Sequence, residues 1–416
     1  MEGSRRRLNT SSEIYPTSPR LEKDISDNLT LLSLLDASAG ESSANNPQVL
    51  GLAGRELELH RMLSLRSQIS TTSSDAQRHT AAQSRSEPTF RKIGAGACGA
   101  VFGQDGKSIV IKLAKTDDEL SLWNDYHKHT SIAEQFRKWE FKDVRIPECY
   151  YFVPKEDPHY FRQNPELAQA AREVCHLPTS ALVTERILPL PKDTRIHLIE
   201  KYCAPRIKAA ALGDEANKDC LVRVYLGSMQ GKSGGMFFSL RNFKMHLNQI
   251  VDLQLDVTAM AGRMGIAMAI MHWAAKTDAR DIEFVLGSSS SKATAQLSAQ
   301  DIARLPGPVY TGPHSYVNED FFSRITDLWV LDFNQVQPIT MDGAGVAKAI
   351  EAAKVNDPYL PKPLGASQIE KQAWNTFAST YITAADAILG DEGDQNLMIL
   401  PRMFIRGLID LQERKK

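Results

Sequence analysis

Cysteine is scarce in this sequence, and the few cysteines are not arranged for metal binding or cross-linking. The 416 residues contain five cysteines, and no pair has Cys-x-x-Cys spacing. Neither a structural zinc site nor a disulfide framework is therefore indicated. Because such a chain suits a reducing compartment, we expect a cytoplasmic protein.

Long apolar runs and an excess of basic residues are also lacking. No run of about 18 apolar residues is present, the length a membrane-spanning helix needs, so we expect no membrane partner. No apolar segment follows the arginines of the first ten residues, so a secretory leader is not expected. The net charge of −1 argues against a general nucleic-acid binder, and we expect no DNA partner. Any polyanion would have to bind to a local patch.

Composition divides the chain into an N-terminal extension and a two-lobed body. Residues 1–88 are predicted to be largely disordered, with a helix at 49–69 where apolar residues recur at helical spacing, and a linker after it. Residues 89–188 have the pattern of a mostly β N-lobe. Residues 189–416 are predicted to form a helical C-lobe that carries acidic loops. Strands followed by helices predict an α+β fold with two lobes like those of a protein kinase.

A glycine-rich segment opens the predicted N-lobe. Gly94, Gly96 and Gly99 follow the pattern Gly-x-Gly-x-x-Gly, and glycine lets the backbone approach a phosphate closely. A Rossmann loop has the same pattern but opens a helix, whereas here two strands follow and end at Lys112. That order is typical of kinases, where the lysine reaches the nucleotide phosphates. The competing interpretation is a glycine-rich hairpin with a surface lysine.

The predicted lysine needs an acidic partner on the helix that follows. In kinases a glutamate on that helix pairs with the lysine. Glu119 is the first candidate and Glu134 the second, and spacing alone does not decide between them. A solvated helix face is the competing interpretation for either glutamate.

An acidic loop with apolar flanks lies in the predicted C-lobe. A kinase catalytic loop places an Asp five residues before a metal-binding Asn. Here Asp278 is that Asp, Arg280 stands where lysine is usual, and Glu283 replaces the Asn, with Asp281 between them. Three acids this close are costly to bury unless a cation lies among them. An exposed acidic turn is the alternative.

The last motif is an apolar strand that ends on an acid. Asp332 begins Asp-Phe-Asn, which resembles the kinase Asp-Phe-Gly metal site with Asn334 in place of glycine. If Mg²⁺ is used, Asp332 and Glu283 are the residues predicted to hold it through carboxylate oxygens.

Several features depart from the pattern of protein kinases. Lys276 stands where the catalytic-loop histidine is expected, and Asp278 and Asp332 are 54 positions apart. No Ala-Pro-Glu signature follows. A kinase with a regulated activation loop is therefore disfavoured, and a small-molecule or unusual transferase is favoured.

Three segments carry a resemblance to a known family: MHWAAKTDARDIEFVLGSS, WVLDFNQ and FFSLRNFKMHL. With them the chain resembles a fungal family of formerly unknown function, often labelled as zinc-finger proteins, whose members include arginine-containing cyclodipeptide synthases. The resemblance runs from about Phe90 to the C-terminus. It implies an enzyme of natural-product biosynthesis that joins arginine, taken from arginyl-tRNA, to a second amino acid as a diketopiperazine.

On this resemblance, two aminoacyl-tRNAs are the partners and no further cofactor is required. Gly94–Gly99 and Lys112, with Glu119 as the lysine's partner, would hold the tRNA terminus, and Asp278, Asp281 and Glu283 would face the aminoacyl group. The motifs alone favour the alternative, a small-molecule phosphotransferase that uses ATP and Mg²⁺. A kinase-like binding module without catalysis is a third hypothesis.

Overall fold

A computed structural model describes residues 47–70 and 89–415, except 97, 106, 116–118, 158, 236, 242, 295–316 and 394. The predictions of disorder before residue 47 and of a linker at 71–88 lie outside the described residues. The α+β fold class is confirmed, because the described chain contains two sheets and many helices.

The first sheet forms the N-lobe. Its strands are β2 (Phe90–Ala95), β3 (Gly99–Gln104), β4 (Ile109–Ala114), β5 (Cys149–Val153) and β6 (Ala181–Glu185). Their order in the sheet is β2-β3-β4-β6-β5, and each neighbouring pair is antiparallel. Helix α2 (Glu119–Lys138) lies between β4 and β5 in sequence. Buried apolar side chains of β3, β4 and β6, such as Phe102 and Leu113, pack together in this lobe.

A second sheet lies in the C-lobe, which was predicted to be helical. It contains β1 (Gln68–Ser70), β7 (Val222–Tyr225), β8 (Phe243–His246), β9 (Glu283–Thr294) and β10 (Val317–Leu331), in the order β1-β10-β9-β7-β8. Strands β9 and β10 pair in antiparallel fashion along their length. Glu283 begins β9, and Leu331, the last residue of β10, is paired with it. The sheet therefore brings the acidic loop before β9 next to the Asp332 segment after β10.

Helices make up most of the rest of the C-lobe. The α-helices of the described chain outside α2 are α1 (Pro47–Leu63), α3 (Tyr160–Gln163), α4 (Pro165–Ala171), α5 (Lys192–Tyr202), α6 (Lys208–Gly213), α7 (Leu247–Asp252), α8 (Val257–Ala269), α9 (Gly343–Val355), α10 (Gln368–Glu392) and α11 (Leu400–Glu413). None of the described helices is long and apolar enough to cross a membrane.

Helix α8 forms the centre of the lobe and leads into the acidic loop. It packs closely on α10, where a Cβ at Gly265 would lie 2.6 Å from the carbonyl oxygen of Phe377. A π-helical turn, Ile270–Ala274, follows α8 directly. Such turns often mark functional sites because they redirect the chain at the end of a helix. Here the turn leads to Thr277 and Asp278.

The described residues 47–70 form a helix and a strand that pack in the C-lobe. Within the predicted 49–69 helix region, α1 ends at Leu63, and Gln68–Ser70 forms strand β1 at the edge of the second sheet. Leu59 and Leu63 are fully buried in the large C-lobe core. The structure thus places 47–70 in the C-lobe, because the apolar face of the helix is covered there.

Candidate functional site

The glycine-rich segment forms the turn between β2 and β3. Gly94, Gly96 and Gly99 all line a cleft of about 280 Å³, and the Gly96 amide donates to the Gly99 carbonyl oxygen at 2.9 Å. A Cβ at Gly99 would lie 3.0 Å from the Leu113 carbonyl oxygen and 3.2 Å from Cγ of Lys112. A side chain at Gly99 would therefore force β3 and β4 slightly apart. The structure brings the three glycines and Lys112 together in one wall.

Lys112 joins both lobes through two carboxylates. Its Nζ donates to Asp125 Oδ2 at 2.7 Å and to Asp332 Oδ1 at 2.9 Å. Burial alone would lower the pKa of Lys112, but the two carboxylates outweigh burial and raise it. The ammonium is therefore fixed as a cation at the centre of the cleft.

The helix partner of Lys112 was predicted incorrectly. Asp125 takes the place that the sequence analysis gave to Glu119 or Glu134. Glu119 is the first residue of α2, whereas Asp125 lies further along the helix on its buried face. Glu134 is exposed. Burial next to the lysine, rather than residue type, decides which acid pairs.

Two adjacent residues of α2 fix the segment that follows β10. Asp125 Oδ1 accepts the Phe333 amide N–H at 3.2 Å. Asn124 Nδ2 donates to the carbonyl oxygens of Asn334 and Val336, each at 2.9 Å. Asp332 itself has φ = 68°, in the left-handed region that non-glycine residues rarely adopt. The helix therefore holds a strained turn at the position predicted for the Asp-Phe-Gly-like site.

Asp278 does not face the cleft. Its side chain is only 2% exposed, and Oδ1 accepts the amide N–H groups of Arg280 at 3.1 Å and Gln337 at 2.8 Å. Burial raises the pKa of Asp278, and these two hydrogen bonds oppose the rise. The carboxylate thus joins the acidic loop to the segment after β10, although it was predicted to face the aminoacyl group.

Asp281 and Glu283 do line the cleft, as does Asp332. Burial raises the pKa of Glu283 to about 7, with Arg223 opposing the rise and the carboxylates of Asp332 and Asp281 adding to it. Burial, and then Asp332, raise the pKa of Asp281 as well. The three carboxylates therefore repel one another within one end of the cleft.

Arg223 is a residue of this end that the sequence analysis missed. Its guanidinium Nη2 lies 2.6 Å from Glu283 Oε1. Arg223 lies on β7, which pairs with β9 through Arg223 and Val285. Arg223 lies in a short strand, and the sequence contains 49 Lys and Arg residues. No local pattern therefore marks this arginine as a residue of the site. Only the pairing of β7 with β9 brings it to Glu283.

Asn356 holds the acidic loop in place. Its side chain accepts the Asp281 amide N–H at 2.7 Å and donates to the Ala279 carbonyl oxygen at 2.8 Å. Ala279 and Asp281 have φ values of 50° and 60°, so both are in the left-handed region. Asn356, 1% exposed, follows the last residue of α9 and was not predicted. Gln335 also donates a hydrogen bond to the Asp281 carboxylate.

The arrangement does not form a ready metal centre. Within the described parts of the chain, no group of three or more His, Cys, Asp or Glu side chains is placed to hold a metal ion. Asp332 and Glu283, the residues predicted to bind Mg²⁺, are already paired with Lys112 and Arg223. Binding of Mg²⁺ would require at least one of these ion pairs to rearrange.

Comparison with known proteins gives one short match. The model of the family DUF3669, described as zinc finger protein, matches residues 328–393. No curated protein and no solved structure matches the chain. The matched segment is a small part of the 416 residues, so it does not establish family membership.

The resemblance to arginine-containing cyclodipeptide synthases is wrong as a family assignment. The family that matches is described as a zinc finger protein and not as a cyclodipeptide synthase, and no curated relative was found that would support the synthase assignment. A zinc finger does not fit this segment either, because residues 328–393 contain no cysteine and no histidine. Structural zinc sites in proteins are built from these two residue types.

Proposed function

We propose that the chain is a tRNA-dependent transferase that condenses arginine from arginyl-tRNA with a second amino acid into a cyclic dipeptide. The observation that carries the proposal is the acidic end of the cleft, where Asp281 and Glu283 face the same space as Asp332. The proposal rests on these residues and on no family membership. It places the protein in the cytoplasm, where aminoacyl-tRNAs are made, with two aminoacyl-tRNAs as partners and no DNA.

The glycine-rich wall suits the nucleotide end of the substrate. An aminoacyl-tRNA ends in an adenosine preceded by phosphates, and backbone N–H groups of a glycine-rich turn are suited to hold phosphate. Gly94, Gly96 and Gly99 line the cleft together with the Lys112 ammonium. The aminoacyl group on the ribose would then extend past Lys112 toward the carboxylates of Asp281 and Glu283.

The charge balance of the acidic end favours a cationic substrate group. Asp281, Glu283 and Asp332 line it with Asp125, whereas Lys112 and Arg223 are the cations that pair with them. Carboxylates bind guanidinium groups through parallel hydrogen bonds. Glu283 already pairs with the guanidinium of Arg223, so a substrate guanidinium would have to share this carboxylate with Arg223 or displace it.

Glu283 is suited to move a proton during the reaction. Because its pKa is about 7, it can accept a proton at neutral pH and release it again. The α-amine of one aminoacyl group attacks the ester carbonyl carbon of the other. The ester C–O bond breaks, the amine proton passes to Glu283, and Glu283 returns it to the ribose oxygen. The free amine of the dipeptide then attacks the remaining ester, which closes the ring and releases the second tRNA.

A phosphotransferase that uses ATP and Mg²⁺ is the second candidate. The contact of Lys112 with both Asp125 and Asp332 favours it, since kinases place a lysine between the same two elements. The burial of Asp278 argues against it, because the carboxylate in the position of the kinase base accepts two backbone N–H groups instead of facing a substrate hydroxyl.

The test is expression in a host that makes no arginine-containing cyclic dipeptides, followed by mass spectrometry of the culture. We expect a new cyclic dipeptide with the wild-type chain and its loss in Glu283→Gln and Asp281→Asn. The control is Glu351→Gln, an exposed acid on α9 that pairs with Lys354 at the surface.

Three results would contradict the proposal in different ways. If Glu283→Gln and Asp281→Asn both formed product at the wild-type level, the carboxylates of Glu283 and Asp281 would have no role in the reaction. Absence of product, together with Mg²⁺-dependent ATP turnover by the purified protein, would establish the phosphotransferase. Absence of both activities, with nucleotide still bound, would leave a binding module.

A further inference from the structure

A second cavity adjoins the cleft on its outer side. It has a volume of about 720 Å³ and lies between the first turns of α2 and the segment 334–337. Asn334 and Gln335 line both this cavity and the cleft. The second cavity, which we call the outer cavity, therefore adjoins the cleft at these two side chains.

An exposed aromatic side chain lines the outer cavity. Trp123 is 48% exposed, whereas the other four tryptophans, all among the described residues, are 8% exposed or less. Phe152 packs edge-on against the Trp123 ring at 5.0 Å, and Tyr126 lies at 5.4 Å. These contacts hold the indole in one orientation with part of its surface free. Such a surface is suited to stacking of a nucleobase.

A cationic side chain lies beside the tryptophan. Arg280 and His127 line the outer cavity, and among the described residues none makes a side-chain ion pair or hydrogen bond with the Arg280 guanidinium. Lys128 follows His127 on α2. The nearest acids are Asp278, whose carboxylate already accepts two backbone N–H groups, and Asp281, which accepts from Gln335. A phosphate would therefore meet a guanidinium that interacts with the Asp278 and Asp281 carboxylates only over a distance and keeps its own N–H groups for the ligand.

A buried oxygen without a partner lies where the two spaces meet. Asn334 is 8% exposed, and its side-chain Oδ1 has no hydrogen-bond partner. An unsatisfied buried acceptor is costly, and a ligand that donates an N–H group would remove that cost. The exocyclic amine of a cytosine or adenine is such a donor.

We propose that the outer cavity binds the nucleotide that precedes the terminal adenosine of a single-stranded RNA 3′ end. The base stacks on Trp123, and the phosphate on its 5′ side pairs with Arg280. Asn334 accepts a hydrogen bond from the base. This inference rests on the proposed function, which places the terminal adenosine in the cleft. It adds the RNA strand itself to what the protein recognises.

The experiment measures binding of an RNA trinucleotide, cytidine-cytidine-adenosine, with a fluorescent label at its 5′ end, to the full chain. Adenosine monophosphate is the second ligand, measured by calorimetry. The variants are Trp123→Ala, Arg280→Ala and the aromatic replacement Trp123→Phe. Arg172→Ala, an exposed arginine of the N-lobe away from both cavities, is the matched control.

We expect Trp123→Ala to weaken trinucleotide binding about tenfold or more, because stacking of one base contributes about 1–3 kcal/mol. Trp123→Phe keeps an aromatic face and should recover most of the affinity. Arg280→Ala should weaken binding and flatten its salt dependence. The affinity for adenosine monophosphate should stay the same in all three variants.

Other outcomes separate this inference from the proposed function. Trinucleotide binding that is unchanged in Trp123→Ala would overturn the inference and leave the proposed reaction standing. Wild-type protein that binds neither ligand would overturn both. Trinucleotide binding that depends on Trp123, without formation of a cyclic dipeptide, would support the outer cavity and overturn the reaction.

Discussion

Lys112 and Asp332 are 220 positions apart in the chain, and their side chains meet at 2.9 Å. One residue lies on β4 of the N-lobe and the other directly after β10 of the C-lobe. With Asp125 they form a three-residue contact that fixes the position of α2 relative to both sheets. The first prediction tests this contact.

Replacement Lys112→Met should destabilise the protein by about 3–5 kcal/mol, because it leaves the buried Asp125 carboxylate without its cation. Urea unfolding measures the loss. In the double variant Lys112→Met/Asp125→Asn the buried charge is gone, so most of the stability should return while binding of adenosine monophosphate stays impaired. Equal stability of the single variant and the wild type would mean that the ion pair contributes nothing.

Activity should rise with pH through about pH 7. Glu283 must be a carboxylate to accept the amine proton, and burial raises its pKa to about 7. Half-maximal product formation near pH 7, measured between pH 5.5 and 8.5 with purified aminoacyl-tRNAs, is the expected result. A profile that is flat across this range would exclude Glu283 as the base.

The Glu283 carboxyl group should lower the stability of the folded protein as the pH rises, whereas it should raise the activity. Its pKa rises on folding from 4.5 to about 7, so the folded state holds the proton more tightly than the unfolded chain. Its contribution to stability is therefore greatest below pH 4.5 and is lost as the pH rises through 7. Glu283→Gln should remove this slope from the wild-type curve of unfolding free energy against pH.

Asn356 is predicted to be a positioning residue. Asn356→Ala leaves the Asp281 N–H and the Ala279 carbonyl oxygen unpaired, which should cost about 2–4 kcal/mol. Asn356→Asp keeps the acceptor but sets a buried carboxylate against the Ala279 carbonyl oxygen, so it should be destabilised as well. In both variants kcat should fall by a larger factor than KM rises, because the loop that carries Asp281 is no longer held in position. An unchanged kcat in Asn356→Ala would contradict this role.

The two glycines of the turn should respond differently to the same change. A Cβ at Gly96 meets nothing within 4 Å, whereas one at Gly99 meets the Leu113 carbonyl oxygen at 3.0 Å. Gly99→Ala should lower the thermal midpoint, and Gly96→Ala should leave it unchanged. Equal thermal midpoints of Gly99→Ala and Gly96→Ala would mean that β3 and β4 can move apart without loss of stability.

Zinc should not contribute to folding. The segment 328–393, which matches a family described as zinc finger protein, has no cysteine or histidine. We expect less than stoichiometric zinc by elemental analysis of the purified chain and no change in thermal midpoint with a chelator. A stoichiometric metal whose removal unfolds the protein would contradict this expectation.

The sequence indicated the parts of the site that depend on local pattern. The glycine turn, Lys112 at the end of a strand and Asp332 after an apolar strand each depend on residues close in sequence, and the structure places all of them in one cleft. The α+β class followed from the same alternation of patterns. Local pattern is sufficient here because strands and turns have their own residue preferences.

The remaining features depend on contacts between distant segments. Asp125 pairs with Lys112 because it lies on the buried face of α2, and helical spacing does not distinguish it from Glu119. Asp278 is buried because Gln337, 59 positions away, donates to it. The serine-rich second half of β9 has the composition of a loop, yet pairing with β10 makes it a strand. Tertiary pairing overrides local preference in each case.

The edge strand β1 gives the two lobes a second covalent connection. The chain leaves the C-lobe sheet at Ser70, enters the N-lobe at Phe90 and returns to the C-lobe between Glu185 and Lys192. Strand β1 also covers the edge of β10, so its backbone occupies the place where a strand of another chain would otherwise pair.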